Sequence, residues 1–92
     1  MAHTVREKDK LIRRVQRILG QVEGVKRALD AEHDCSDVMQ RIVTARGSLN
    51  SLLAEVVEGH IREHMVDSRR RPTSAESRAA AELIDVTKRY LR

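Results

Sequence analysis

The chain has 92 residues, of which 35% are charged and only one, Tyr90, is aromatic. A chain of this length makes one domain, and a composition rich in Leu, Val, Ile, Ala and charged residues is typical of helical bundles. The 18 basic and 14 acidic residues leave a net charge of +4, which favours a polyanionic partner. The absence of a long apolar stretch excludes a membrane span and a signal peptide, and a single cysteine suits a reducing compartment. We therefore expect a cytoplasmic protein.

Three helices are predicted in chain order. The first covers about residues 5–30, with Thr4 as its N-cap and Glu7 as the capping-box partner. Asp34 caps the second, over about residues 35–66, and Ser74 caps the third, over about residues 74–91, after a linker at 68–73. Apolar residues in steps of four and three mark the two long helices, which is heptad spacing. These residues are Leu11, Val15, Ile18, Val22, Val25 and Leu29, then Val38, Ile42, Ala45, Leu49, Leu52 and Val56.

Two such long helices cannot bury both apolar stripes within one small subunit. Two copies of the helical hairpin would bury them in an antiparallel four-helix bundle. The sequence therefore predicts an all-α protein in which residues 1–92 form a single three-helix domain. It also predicts a homodimer or a higher symmetric oligomer.

The segment His60-Ile61-Arg62-Glu63-His64 carries the clearest chemical signal. Residues four apart share one helix face, with Cβ atoms about 5–6 Å apart, so two imidazoles there can bind one metal ion. Cys35, in the first helical turn where the dipole favours a thiolate, and His3 complete a set of four ligands. Cys35 and His60 lie at opposite ends of one predicted helix, roughly 40 Å apart, so only an antiparallel partner subunit could bring them together. We expect a metal site between subunits.

Other interpretations of these residues stay open. Paired histidines at a polar helix end are more often solvated than ligating, and a lone cysteine is more often a small buried apolar residue. The same segment matches the H-x-x-E-H pattern of inverted zinc peptidases. Such an enzyme needs a further ligand and a substrate cleft in a far larger domain, so we expect no enzyme.

Basic residues form a second candidate surface. They lie opposite the apolar stripe of the first helix and continue onto the second, where they could meet DNA phosphates. No helix-turn-helix or zinc-finger spacing is present, so backbone and shape readout would be the mechanism. An ordinary solvated face is the alternative. The residues are Lys10, Arg13, Arg14, Arg17, Arg41 and Arg46.

Several runs together resemble the copper-sensitive operon repressor (CsoR/RcnR/FrmR) family. They are Gln21-Val22-Glu23-Gly24, the Cys35 segment, Arg46-Gly47-Ser48-Leu49-Asn50-Ser51-Leu52 and Glu55-Val56-Val57-Glu58-Gly59-His60-Ile61. The resemblance implies an all-helical dimer of dimers, a homotetramer, that represses transcription when ligand-free and leaves operator DNA when ligand binds. It also implies that Arg14, Arg17, Lys10 and Arg46 contact DNA.

The ligand positions resemble the nickel/cobalt-sensing, RcnR-like branch. Copper sensors carry a second Cys where this chain has His64, and formaldehyde sensors carry Glu there and Pro at position 2. The resemblance implies Ni(II) or Co(II) bound by His3, Cys35, His60 and His64, with the N-terminal amine of Ala2 and Glu63 as further ligands. Some members of the branch have another histidine where this chain has Asp67. Cu(I) or Zn(II) could bind in vitro.

Two further functions stay open. A formaldehyde-responsive repressor would use Cys35 and the N-terminal amine and need no metal. A helical interaction protein without a regulatory role would not bind DNA.

Overall fold

The computed structural model describes residues 3–65 and 70–91, and for His64 and Met65 it describes the backbone alone. These residues contain no strand, and the all-α prediction is confirmed. The predicted end of the second helix at Val66, most of the linker and Ala2 lie outside the described residues. The helices are α1 (His3–Arg6), α2 (Lys8–Asp30), α3 (Cys35–His60) and α4 (Ser74–Tyr90), and a π-helical turn (Ile61–Met65) extends α3.

The N-terminus differs from its prediction. Thr4 is not an N-cap but lies inside α1, and Glu7, which separates α1 from α2, makes no capping bond with its side chain. The N-terminal end of α1 is instead held by a distant residue, because the Glu63 carboxylate accepts a hydrogen bond from the His3 backbone N–H. A carboxylate is well placed there, since the backbone N–H groups of a helix N-terminus attract negative charge. Sequence spacing identified the local capping residue and missed the one supplied by the fold.

The turn between α2 and α3 follows from its hydrogen bonds. The His33 N–H donates to Ala28 O at 2.9 Å and the Glu32 N–H to Leu29 O at 3.1 Å, which is the pattern of a Schellman motif. Glu32 takes the left-handed conformation that this motif requires, with φ of 56°. Asp34 then caps α3 as predicted, accepting from the Asp37 N–H at 2.8 Å. The chain reverses within four residues, so α3 returns antiparallel to α2.

The N-cap of α4 also needs correction, from Ser74 to Thr73. The Thr73 hydroxyl accepts from the Glu76 N–H at 3.1 Å, and the Glu76 carboxylate accepts from the Thr73 N–H at 3.0 Å. This reciprocal pair needs an acidic residue three positions after the cap, which Thr73 has and Ser74 lacks. A hydrogen bond from Arg70, with those from Thr73, lowers the pKa of Glu76 to about 2.

The subunit is a single layer of helices. Its Cα atoms extend 56 × 26 × 11 Å, so the thin dimension matches about one helix diameter. The apolar cluster of Ile61, Ala80 and Ile84, with Val57 against it, joins α4 to the end of α3. Elsewhere the heptad residues stay uncovered, with Leu29 59% exposed. Exposed apolar area on this scale, from residues that set the helix pattern, marks an interaction surface.

Candidate metal centre and DNA-binding surface

His3 lies in a groove between α1 and the end of α3. It is buried, at 8% exposure, although it is the first described residue of the chain. The groove exists because residue 59 is glycine: a Cβ atom built on Gly59 would overlap the His3 imidazole ring. The sequence run that carries the resemblance contains this glycine, but the sequence did not indicate that it makes room for His3.

Glu63 fixes the orientation of His3. Besides accepting from the His3 N–H, its carboxylate lies 3.2 Å from His3 Nδ1, and its other oxygen accepts from Arg6 at 2.9 Å. Burial raises the pKa of Glu63, but hydrogen bonds from His3 and Arg6 outweigh it and hold that pKa below its usual value. Both carboxylate oxygens thus have partners in the protein. In this arrangement Glu63 positions a histidine, although the resemblance suggested that it could bind metal directly.

The other ring nitrogen of His3 is unsatisfied. His3 Nε2 is buried and has no hydrogen-bond partner among the described residues. A buried polar atom without a partner is costly, and such atoms often mark a site for a ligand or an ion. When a carboxylate accepts from Nδ1–H, Nε2 keeps the lone pair that binds a metal, an arrangement common around protein-bound metal ions. The geometry of His3 therefore fits a metal-binding role.

The predicted histidine pair falls where the helix changes type. His60 is the exposed last residue of α3, and His64 lies in the π-helical turn, so the pair does not share one continuous α-helix as the sequence suggested. The side chain of His64 lies outside what the structure describes. The wider turn lets Ile61 pack into the cluster under α4 while Glu63 contacts His3. Single π turns of this kind are frequent at functional sites.

Cys35 lies at the opposite end of α3. It is exposed, which argues against the small buried apolar role that a lone cysteine often has. The nearby His33 contacts Asp37 at 2.7 Å, and Arg41 contacts the same carboxylate at 3.0 Å. Hydrogen bonds from His33 and then Arg41 hold the pKa of Asp37 below its usual value.

One subunit does not assemble the predicted ligands. Helix α3 has 26 residues, which places Cys35 and His60 about 38 Å apart. Across the described residues, no three His, Cys, Asp or Glu side chains come close enough together to hold a metal ion. The structure brings His3 to the His60 end of α3 and leaves Cys35 at the other.

The predicted DNA-binding residues divide into two groups. Lys10 Nζ lies 2.9 Å from a Glu55 oxygen, and Arg14 donates to the other oxygen of the same carboxylate. Arg17 and Arg46 are exposed, and no ion pair to either is found in the described parts of the chain. The role of Glu55 was missed from the sequence. The antiparallel register that pairs His3 with Glu63 also places Arg14 near Glu55, and this register was the available signal.

Comparison with known proteins decides the family. The model of a family described as metal-sensitive transcriptional repressors matches residues 7–89. The chain belongs to this family. The transcriptional repressor RcnR of Escherichia coli K12 is 47% identical over 66 residues, which cover 72% of this chain and 73% of RcnR. An uncharacterised protein from the bioA 5' region of Serratia marcescens is 41% identical over the full length of both chains.

A solved structure also resembles this repressor family member. It is a variant of the formaldehyde-responsive regulator FrmR from Salmonella enterica serovar Typhimurium, in which histidine replaces a glutamate. The two structures superpose with a TM-score of 0.63 at 32% identity, over 95% of this chain and 96% of the other. The predicted family and helical fold are thus confirmed. The exclusion of an enzyme is confirmed too, because the family consists of transcriptional repressors. None of the described helices is long and apolar enough to cross a membrane.

Proposed function

We propose that this protein is a Ni(II)- or Co(II)-responsive repressor of a metal-efflux gene. The metal-free form binds operator DNA, and metal binding releases it. The observation that carries the proposal is the buried, unpartnered Nε2 of His3, held by Glu63 in a groove that only Gly59 allows. The similarity to RcnR supports the same effector class.

The proposed metal site is completed by a second subunit. His3, His60 and His64 come from one end of a subunit, and Cys35 comes from the antiparallel partner. The N-terminal amine of Ala2 is a further donor, and Glu63 acts on His3. The uncovered heptad residues and the single-layer shape support a homodimer, and two dimers would make the homotetramer. Imidazole and thiolate donors suit Ni(II) and Co(II), and also Zn(II) and Cu(I), so affinity alone does not name the effector.

The proposed DNA surface uses the basic residues of α2 and α3. Arg14, Arg17, Lys10 and Arg46 would contact operator phosphates, and metal binding would change their arrangement. Coupling between two such sites is typically about 1–3 kcal/mol, which corresponds to about 5–150-fold in DNA affinity.

The second candidate effector is formaldehyde. The exposed Cys35 and the likeness to a formaldehyde-responsive regulator favour it. The chemistry would join the Cys35 thiol to the amine of Ala2 through one carbon, with loss of water, and would need no metal.

One experiment separates these candidates. Release of an operator fragment is measured in parallel against Ni(II), Co(II), Cu(I), Zn(II) and formaldehyde, with mass spectrometry after the formaldehyde arm. The proposal predicts release by Ni(II) and Co(II) at lower concentrations than by formaldehyde. Release by formaldehyde alone, with a 12-Da adduct on the protein (one carbon, roughly 12 Da), would replace metal with aldehyde. Absence of all DNA binding would leave a helical interaction protein.

A further inference from the structure

Glu55 is the shared partner of two cations that the proposed function assigns to DNA. One carboxylate oxygen contacts Lys10 at 2.9 Å and the other accepts from Arg14. The side chain of Glu55 is 22% exposed and that of Arg14 is 33% exposed, so this pairing is partly shielded from water. A phosphate that binds Arg14 or Lys10 must therefore displace a carboxylate already in place.

The position of Glu55 links this pairing to the effector end of the molecule. Glu55 lies four residues before Gly59, and residues at this spacing share one helix face. Both line one groove, of about 480 Å³, together with His3, Arg6 and Glu63. The start of the chain is thus attached to α3 at two points, by Glu63 near His3 and by Glu55 farther along α2.

We propose that Glu55 competes with DNA phosphate for Lys10 and Arg14 and thereby lowers the affinity for DNA. In the DNA-bound state both cations turn from Glu55 to the phosphates. In the released state Glu55 holds them against α3.

The link to the effector rests on the proposed function. Metal that binds His3 holds α1 and the start of α2 against α3, which keeps Lys10 and Arg14 within reach of Glu55. An effector shifts an equilibrium only by its differential affinity for the two states, and this contact exists in only one of them. Glu55 thus carries part of the coupling without touching metal or DNA.

The test is the substitution Glu55→Gln, with Glu58→Gln as matched control. Both remove one negative charge from the same part of α3, but Glu58 contacts Lys88 at 3.2 Å and Arg62 at 3.7 Å and neither proposed DNA residue. Without metal, E55Q should bind a double-stranded operator fragment about three- to tenfold more tightly than E58Q, the range expected for two partly exposed ion pairs. Equal affinities of E55Q and E58Q would overturn the proposal.

Two further measurements keep the outcome clear. In an Arg14→Ala background the effect of E55Q should shrink, because only Lys10 remains to be released; an undiminished effect would contradict the proposal. If E55Q does not fold, Glu55→Asp, which withdraws the carboxylate by one methylene, should also bind DNA more tightly than wild type, and unchanged binding would count against it.

The metal arm separates this inference from the proposed function. If no metal releases wild-type protein but E55Q still binds DNA more tightly than E58Q, the effector assignment fails and the competition stands. If metal releases wild type, E58Q and E55Q with the same fold-change in DNA affinity, the effector stands and the role of Glu55 in coupling fails.

Discussion

The two ends of α3 differ in how much of the proposed site one subunit builds. At the C-terminal end, His3 is buried against Gly59 and oriented by Glu63, so a ligand nitrogen is in place before any metal arrives. At the N-terminal end, Cys35 is exposed. The comparison teaches that the histidine end is preorganised within a subunit, whereas the cysteine end depends on what a second subunit brings.

The largest effect should come from removing a ligand at either end. Cys35→Ala, His60→Ala or His64→Ala should each abolish metal-induced release, a loss of the whole 5–150-fold coupling, roughly, with metal-free DNA binding intact. Gel-shift titrations with and without metal measure this. His33→Ala is the control, since His33 is close to Cys35 but contacts Asp37. Release that persists in both Cys35→Ala and His64→Ala would remove these residues from the site.

A smaller effect should follow from disturbing the preorganised end alone. In Gly59→Ala the new methyl group displaces the His3 ring, so metal affinity should fall about 10–100-fold, as for lost supporting contacts elsewhere. Thermal stability should change little, because His3 is near the chain terminus and can move aside. Metal titration and thermal unfolding distinguish the two quantities.

The control for this change is Gly20→Ala. A Cβ atom at Gly20 meets nothing within 4 Å, so the substitution should raise helix stability by about 1 kcal/mol and leave metal affinity unchanged. Wild-type metal affinity in Gly59→Ala would show that the His3 groove is not part of the metal site.

The smallest effect concerns α4, which packs on the His60 end. Thr73→Ala should cost about 1 kcal/mol of helix stability, and Ser74→Ala, the neighbouring control, should cost much less. The lowered pKa of Glu76 means that its stabilising contacts are fully present above about pH 4.5 and are lost as the pH falls towards 2. Circular dichroism during thermal unfolding at pH 5 and pH 3 measures both effects. Equal losses in the two variants would return the cap to Ser74.

The sequence predicted features that depend on periodicity and local spacing. Heptad steps indicated the long helices, and the cap at Asp34 was identified correctly because its partner Asp37 is three residues away. Length alone showed that Cys35 and His60 cannot meet within one chain. These inferences need only the geometry of a helix.

Features that depend on packing between distant segments were missed or wrong. The capping of α1 by Glu63, the room that Gly59 makes for His3 and the pairing of Arg14 with Glu55 each join residues more than 40 positions apart or arise from such a contact. The π-helical turn likewise follows from competing demands on Ile61 and Glu63, which sequence spacing does not contain. Local patterns therefore identified the candidate ligands, and tertiary contacts decided how they are held.

Mixing two defective subunits tests the central claim, that metal binds between subunits, most directly. Cys35→Ala and His60→Ala homodimers should each lack the site. In an antiparallel mixed dimer, Cys35 of the second variant meets His60 of the first, so one complete site returns. Native mass spectrometry would confirm subunit exchange, and metal titration would count sites. We expect one restored site per mixed dimer and recovered metal-dependent DNA release. Complete exchange without any restored binding would contradict an intersubunit site.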